Sequence, residues 1–193
     1  MAIVQAGDPG LRRPSSAVDR ALIGSPEMAA LIEALAAGLE ESPGVGLAAP
    51  QIGVPLRVVL VQDPPEYHDR LSEQRRVELE REPVAPYVLI NPELEAVGDE
   101  RRMFFEGCLS VEGYCALVSR ARQVRVRWLD PGGTAHEAVR TGWHARILQH
   151  EVDHLNGILY VDRMYSRTFM TTAHYADWAH QPLAALREAF GLV

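Results

Sequence analysis

The sequence predicts an α+β fold in which antiparallel strands wrap one central helix, and three observations predict it. Gln149–Gly157 sets His150 and His154 four residues apart, with Trp143, Ile147, Val152 and Leu155 near helical spacing and Gly157 as a C-terminal stop. Val124, Val126 and Trp128 alternate with Arg125 and Arg127, and Asp130-Pro131-Gly132-Gly133 turns that strand back into Thr134–Arg140 as a hairpin. Two segments dense in small or polar residues, Gly44–Gly53 and Met103–Val111, are expected to reach the central helix from neighbouring strands.

Taken in order, Ala2–Gln5 reads as a short strand closed by Gly7-Asp8-Pro9-Gly10. Ser25 as N-cap, Pro26 at the first helical position and Glu27 in the first turn announce a helix. Leu31, Leu35 and Leu39 give it an apolar stripe, and Ser42-Pro43-Gly44 ends it. Leu56–Gln62 reads as a buried strand. The charged stretch from Asp63 to Pro86 follows, with Ser72–Glu82 as a short solvated helix or a loop, and no chemistry is expected of it. Tyr87–Asn91 and Glu93–Val97 read as two strands about Asn91-Pro92, Ile158–Val161 as a strand, and Ala184–Phe190 as a terminal helix. No repeat or linker interrupts the chain, so residues 1–193 are expected to form a single domain.

Composition narrows the function. A formal charge of −7 argues against a general nucleic-acid binder or an anionic membrane surface as partner. All 19 basic residues are Arg, which removes Schiff-base lysine chemistry and Walker-type phosphate loops. Cys108 and Cys115 are the only cysteines and form no C-x-x-C, so a disulfide framework is not expected. No basic start leads into an apolar stretch, and no uncharged apolar run is long enough to span a membrane. A cytoplasmic, soluble protein is expected.

The chemistry is carried by His150-Glu151-Val152-Asp153-His154. Residues four apart share a helix face, so two imidazoles can aim at one divalent ion, and Glu151 lies where its carboxylate can take a proton from an activated water. A catalytic site of this kind takes three protein ligands. The pattern that would supply a third histidine at 160 fails, because the residue is Tyr160. Glu188 lies in an ordinary amphipathic tail, which leaves Cys108, flanked by the polar Glu106 and Ser110. On the small-residue segment Gln51 is the one polar side chain; it is either an oxyanion donor or a turn amide bonded to local backbone.

Together the three segments resemble the peptide deformylase family. Gly44–Gln51 matches its Gly-hydrophobic-Gly-hydrophobic-Ala-Ala-x-Gln motif, Glu106–Ser110 its Glu-Gly-Cys-hydrophobic-Ser motif, and Gln149–Gly157 its third motif. The stretches Ser110–Tyr114, Thr141–Arg146 and Ser166–Phe169 resemble the organellar and related bacterial branch.

The resemblance implies that Cys108, His150 and His154 hold one divalent ion, natively Fe(II), with Zn(II), Ni(II) or Co(II) as alternatives. It implies Glu151 as the general base and acid. The Gln51 amide and the backbone N–H of Leu109 would serve as oxyanion donors, and formyl-methionyl peptide N-termini as substrates. Val45, Phe104, Gly107, Trp143, Arg146 and Ile147 would line the methionine site, with the backbone of Gly46 pairing to the peptide. Two departures stand out. Cys115 replaces an Arg that many relatives carry by the peptide channel, and the tail from Tyr175 has one Arg against Asp177 and Glu188, so ribosome docking through it is not supported. A zincin-type peptidase using Glu188 and a non-catalytic binding protein of the same fold are the competing readings.

Overall fold

A helix that is buried along most of its length yet carries Arg, His, Glu and Asp on its inner faces must have its partners supplied by other elements. In the computed structural model, which describes residues 2–192, two antiparallel sheets supply them. The first runs in the order β1 (Gly46–Ala48), β2 (Val58–Asp63), β3 (Val84–Ala96), β6 (Gln123–Leu129), β7 (Ala135–Thr141). The second joins β4 (Arg101–Cys108), β5 (Val111–Ala121) and β8 (Met170–Thr171). The central helix α4 (Gly142–Leu155) packs against strands of both sheets.

The first helix, α1 (Pro26–Glu40), begins where Ser25 Oγ accepts from the Met28 N–H, and it buries Leu31, Leu35 and Leu39 against β1 and β2. Two short helices, α2 (Pro65–His68) and α3 (Glu73–Leu79), occupy the charged stretch, and α5 (Thr172–Trp178) and α6 (Leu183–Phe190) close the chain. The Val124–Arg140 hairpin forms as expected, Val124 pairing with Arg140 and Leu129 with Ala135.

Three local expectations change. Ala2–Gln5 is extended but joins no sheet; instead Val4 N–H donates to Gln51 O and Ala6 N–H to Ser110 O, at 2.8 and 2.7 Å, while Gln5 Nε2 donates to Leu109 O. It ties the two small-residue segments together. The two strands about Asn91-Pro92 are one strand, β3, with a register shift between Ile90 and Glu93. Asn91 absorbs the irregularity at φ 52, and its amide accepts from Val18 N–H and donates to Val18 O. Ile158–Val161 is no strand: Tyr160–Asp162 is a 3₁₀ turn, with Asp162 accepting from the Leu159 N–H. Gly157 has φ 73 and ends α4, and a Cβ there would lie 2.7 Å from the Arg12 carbonyl.

His144, in the first turn of α4, meets the Tyr87 hydroxyl of β3 at 2.8 Å. Burial, helped by the charge of Arg140, pushes its imidazolium down to about 4. The unfolded chain therefore takes up a proton near pH 6.5 that the folded chain refuses until about pH 4, so stability falls as the pH drops through that window. Between pH 7 and 5 the expected loss from this group is up to about 2 kcal/mol. Urea midpoints for the wild type and His144→Gln at both pH values measure it; a variant that keeps the whole drop would remove His144 as its source.

Candidate metal centre

One turn of α4 separates His150 from His154, and their rings meet edge to face with centroids 5.0 Å apart. Cys108 arrives from the end of β4, where the regular pairing of Gly107 with Cys115 gives way to Cys108 opposite Val111. That break in register re-aims the thiol at the helix. Its Sγ lies 3.3 Å from His154 Nε2, and one donor atom from each of Cys108, His150 and His154 falls within 4.8 Å of the others. A soft sulfur with two imidazoles, converging from two elements, fits a divalent transition metal.

The surroundings orient each donor. Ser110 N–H lies 3.4 Å and Gln51 Nε2 3.6 Å from the Cys108 sulfur, both as hydrogen-bond donors. His150 Nδ1 faces Glu106 Oε2 at 2.8 Å, leaving its other nitrogen for the site. Burial opposes charge on Glu106, but hydrogen bonds from Arg120 and His150 outweigh it and hold the carboxyl well below its usual range. Arg120 grips Glu106 with two bonds of 2.8 and 2.9 Å and reaches Asp153 at 2.5 Å, which Arg163 grips in turn. Burial, reinforced by His150, keeps His154 neutral, and its Nδ1 has no partner.

Gln149, the first residue of the third motif, acts as a clamp. Its Oε1 accepts from Ala121 N–H and its Nε2 donates to Ala121 O, both at 2.9 Å, locking α4 to β5.

Glu151 is buried, and its Oε2 has no hydrogen-bond partner. Burial pushes its carboxyl up to about 7, against the opposing fields of His150 and Arg146. The second glycine of the first motif makes room for it: a Cβ on Gly46 would lie 2.4 Å from Glu151 Oε1. Gln51 is a turn amide on its oxygen side, capping the 3₁₀ turn Ala49–Ile52, and has its NH₂ free to face the site. Its Oε1 accepts from the Ala48 N–H at 2.8 Å, which turns the NH₂ the other way, onto Ser110 Oγ and Cys108 Sγ.

A cavity of about 880 Å³ opens beside these groups. Val45, Gly46, Gln51, Gly107, Cys108, Leu109, Trp143, Arg146, His150 and Glu151 are on its wall. Phe104 and Ile147 are not, contrary to expectation. Phe104 shares with Glu106 the face of β4 that meets α4 and packs edge-on to Trp143, behind the wall, while Phe105 borders the cavity from the other face, among Cys115, Leu117 and Tyr175; Val45 and Trp143 cover the core cluster that contains Ile147. The charged stretch also contributes, against expectation: Tyr67 and Arg81 are on the wall, Arg81 pairing with the fully buried Asp63 and lying 4.5 Å over the Trp143 ring. No local pattern marks Arg81. Arg120 and Asp153 do carry a signal in the sequence, each being a charge set among residues that the patterning buries.

Residues 1–169 match the family model described as polypeptide deformylase. The chain is 46% identical over 169 residues to the chloroplastic peptide deformylase 1A of Solanum lycopersicum, covering 88% of this chain and 61% of that protein. It is 46% identical over 180 residues to peptide deformylase 3 of Streptomyces avermitilis, covering 93% and 78%. The Met-Ala-Ser-bound class I type b peptide deformylase from Acinetobacter baumannii superposes with a TM-score of 0.75 at 35% identity, over 85% of this chain and all of that one. A cysteine and two histidines converging on one point, inside a chain that this family's model matches from residue 1 to 169, place the protein in the polypeptide deformylase family.

Proposed function

We propose that this protein is a single-domain, metal-dependent hydrolase that removes the formyl group from formyl-methionyl peptides and releases formate. The observation that carries it is the meeting of an unpartnered, buried Glu151 carboxylate with the Cys108–His150–His154 donor set at the head of a peptide-sized cavity. The ion, proposed as Fe(II) natively with Zn(II), Ni(II) or Co(II) accepted by the same donors, would supply Lewis acidity toward the formyl carbonyl and water.

The chain's own groups do the rest. Glu151 accepts the proton of the attacking water and passes it to the departing amine. The Gln51 NH₂, already turned toward the Cys108 sulfur, and the backbone N–H of Leu109 stabilise the oxyanion. β1 is an edge strand, so the backbone at Gly46 is available to pair with an extended peptide. Val45, Gly107, Trp143 and Arg146, with Phe104 and Ile147 packed behind them, receive the first side chain. Support for the substrate comes from the Acinetobacter baumannii relative, which holds Met-Ala-Ser. A cytoplasmic site of action belongs to the same proposal; the relatives themselves include chloroplastic and mitochondrial proteins beside those of Streptomyces. Among the described residues no helix is long and apolar enough to cross a membrane.

Formate release from formyl-Met-Ala-Ser by anaerobically purified protein tests the proposal, with Cys108→Ala beside it. The wild type should hold one divalent ion and turn over, and the variant should lose both. A fully metallated wild type that releases no formate contradicts the activity; a Cys108→Ala protein that keeps its metal supports the zincin-type reading with a distal acid as ligand.

A further inference from the structure

The sulfur of Cys108 takes hydrogen bonds from the Gln51 amide at 3.6 Å and from the Ser110 N–H at 3.4 Å. Under the proposed function Gln51 turns its amide to the oxyanion, so during turnover the Ser110 N–H is the donor that stays with the sulfur. That N–H belongs to the peptide between Leu109 and Ser110, the two residues of the turn that carries Cys108 into Val111. In a trans peptide the N–H and the C=O point in opposite directions, so whatever holds the Leu109 carbonyl aims the Ser110 N–H.

Gln5 holds it. Its Nε2 donates to Leu109 O at 2.9 Å and also to Ile3 O at 3.3 Å, which ties the amide to its own segment; its Oε1 accepts from the Glu112 N–H at 3.4 Å, beyond the turn. One side chain therefore grips the turn on both sides. The main chain around it is fixed as well, Val4 N–H donating to Gln51 O and Ala6 N–H to Ser110 O. The turn needs this grip. Two-residue turns that match the twist of antiparallel strands have positive φ at their first residue, whereas Glu80 and Asn91 are the only non-glycine residues at positive φ among the described residues. Leu109-Ser110 is a turn that its own strands do not favour, kept in place from outside. Water could satisfy the Leu109 oxygen in place of Gln5, but it would not fix the direction of the peptide.

We propose that Gln5 is a positioning residue of the metal centre: by gripping the Leu109 carbonyl it keeps the N–H at the other end of the same peptide aimed at the Cys108 sulfur. A hydrogen bond to a thiolate draws negative charge off the sulfur, which makes Cys108 a weaker donor and leaves the ion it holds more electrophilic. Gln5 acts through the peptide and does not meet the ion. The role rests on the Cys108–His150–His154 donor set and not on the formyl substrate.

Cobalt(II) loaded into the apo protein reports on the sulfur through its thiolate-to-metal charge-transfer band. Gln5→Met, which keeps the length of the side chain and loses its hydrogen bonds, should move that band to longer wavelength. Gln5→His, which returns an N–H donor at the same reach, should move it back. The urea midpoint should stay at the wild-type value in both, since Gln5 is exposed. In the nickel-loaded proteins kcat for formyl-Met-Ala-Ser should fall by about tenfold in Gln5→Met with KM unchanged, the small end of what an outer partner of a ligand contributes. A Gln5→Met band that coincides with the wild type overturns the role, as does a shift that Gln5→His leaves in full, or one that comes with a lowered urea midpoint, the mark of a loosened loop. A cobalt-treated wild type without a charge-transfer band refutes Cys108 as a ligand and this role with it. A shifted, recoverable band in a protein that releases no formate supports the role while the deformylase reading fails.

Discussion

Glu151→Gln is expected to lower kcat for formate release by about 10²–10⁴ while one metal ion per chain is retained. The three donors are untouched by the change, and the amide is nearly the same shape as the carboxylate, so Gly46 still accommodates it. What the amide cannot do is accept the proton of the attacking water and return it to the amine. Folding should not suffer, because the substitution removes a buried carboxylate whose Oε2 has no partner. Single-turnover formate release with metal analysis on the same samples checks this. A variant within tenfold of the wild type would show that another group moves the proton.

The second large effect is expected from Arg120→Met, which leaves the buried Glu106 and Asp153 without the guanidinium that joins them. Breaking a buried pair by deleting one member costs about 3–5 kcal/mol; Asp153 keeps Arg163, but Glu106 is left with His150 alone. The consequence is therefore double: a lower urea midpoint, and metal affinity reduced by about 10–100-fold because the ligand's orienting partner is loosened. Glu106→Gln combined with Arg120→Met should recover part of the lost stability but none of the lost affinity. Stability within 1 kcal/mol of the wild type in Arg120→Met alone would mean that the network is not holding the helix in place.

Cys108 is singled out only by elimination and by the family resemblance, whereas the His150–Glu151–His154 set, the N-cap of α1, the hairpin about Asp130–Gly133 and the end of α4 at Gly157 are all legible in the chain. Each depends on chemistry that repeats at fixed sequence spacing: a turn of helix, the alternation of a strand, a capping hydroxyl, or a glycine that adopts positive φ. Contacts between segments far apart in sequence have no such period. Arg120 meets Asp153 across 33 residues, Ala6 donates to Ser110, and Arg81 stacks on Trp143. Which face of β4 meets α4 is known only once Glu106 is placed against His150, and that puts Phe104 on the same face, against Trp143, and Phe105 on the other, against Tyr175. The sequence alone determined which groups can bind a metal and move a proton, since those properties belong to the side chains and their helical spacing. Only the tertiary structure decided by what each buried charge is answered, Glu106 by Arg120 and Asp63 by Arg81, because a buried charge is neutralised by whatever the fold brings beside it.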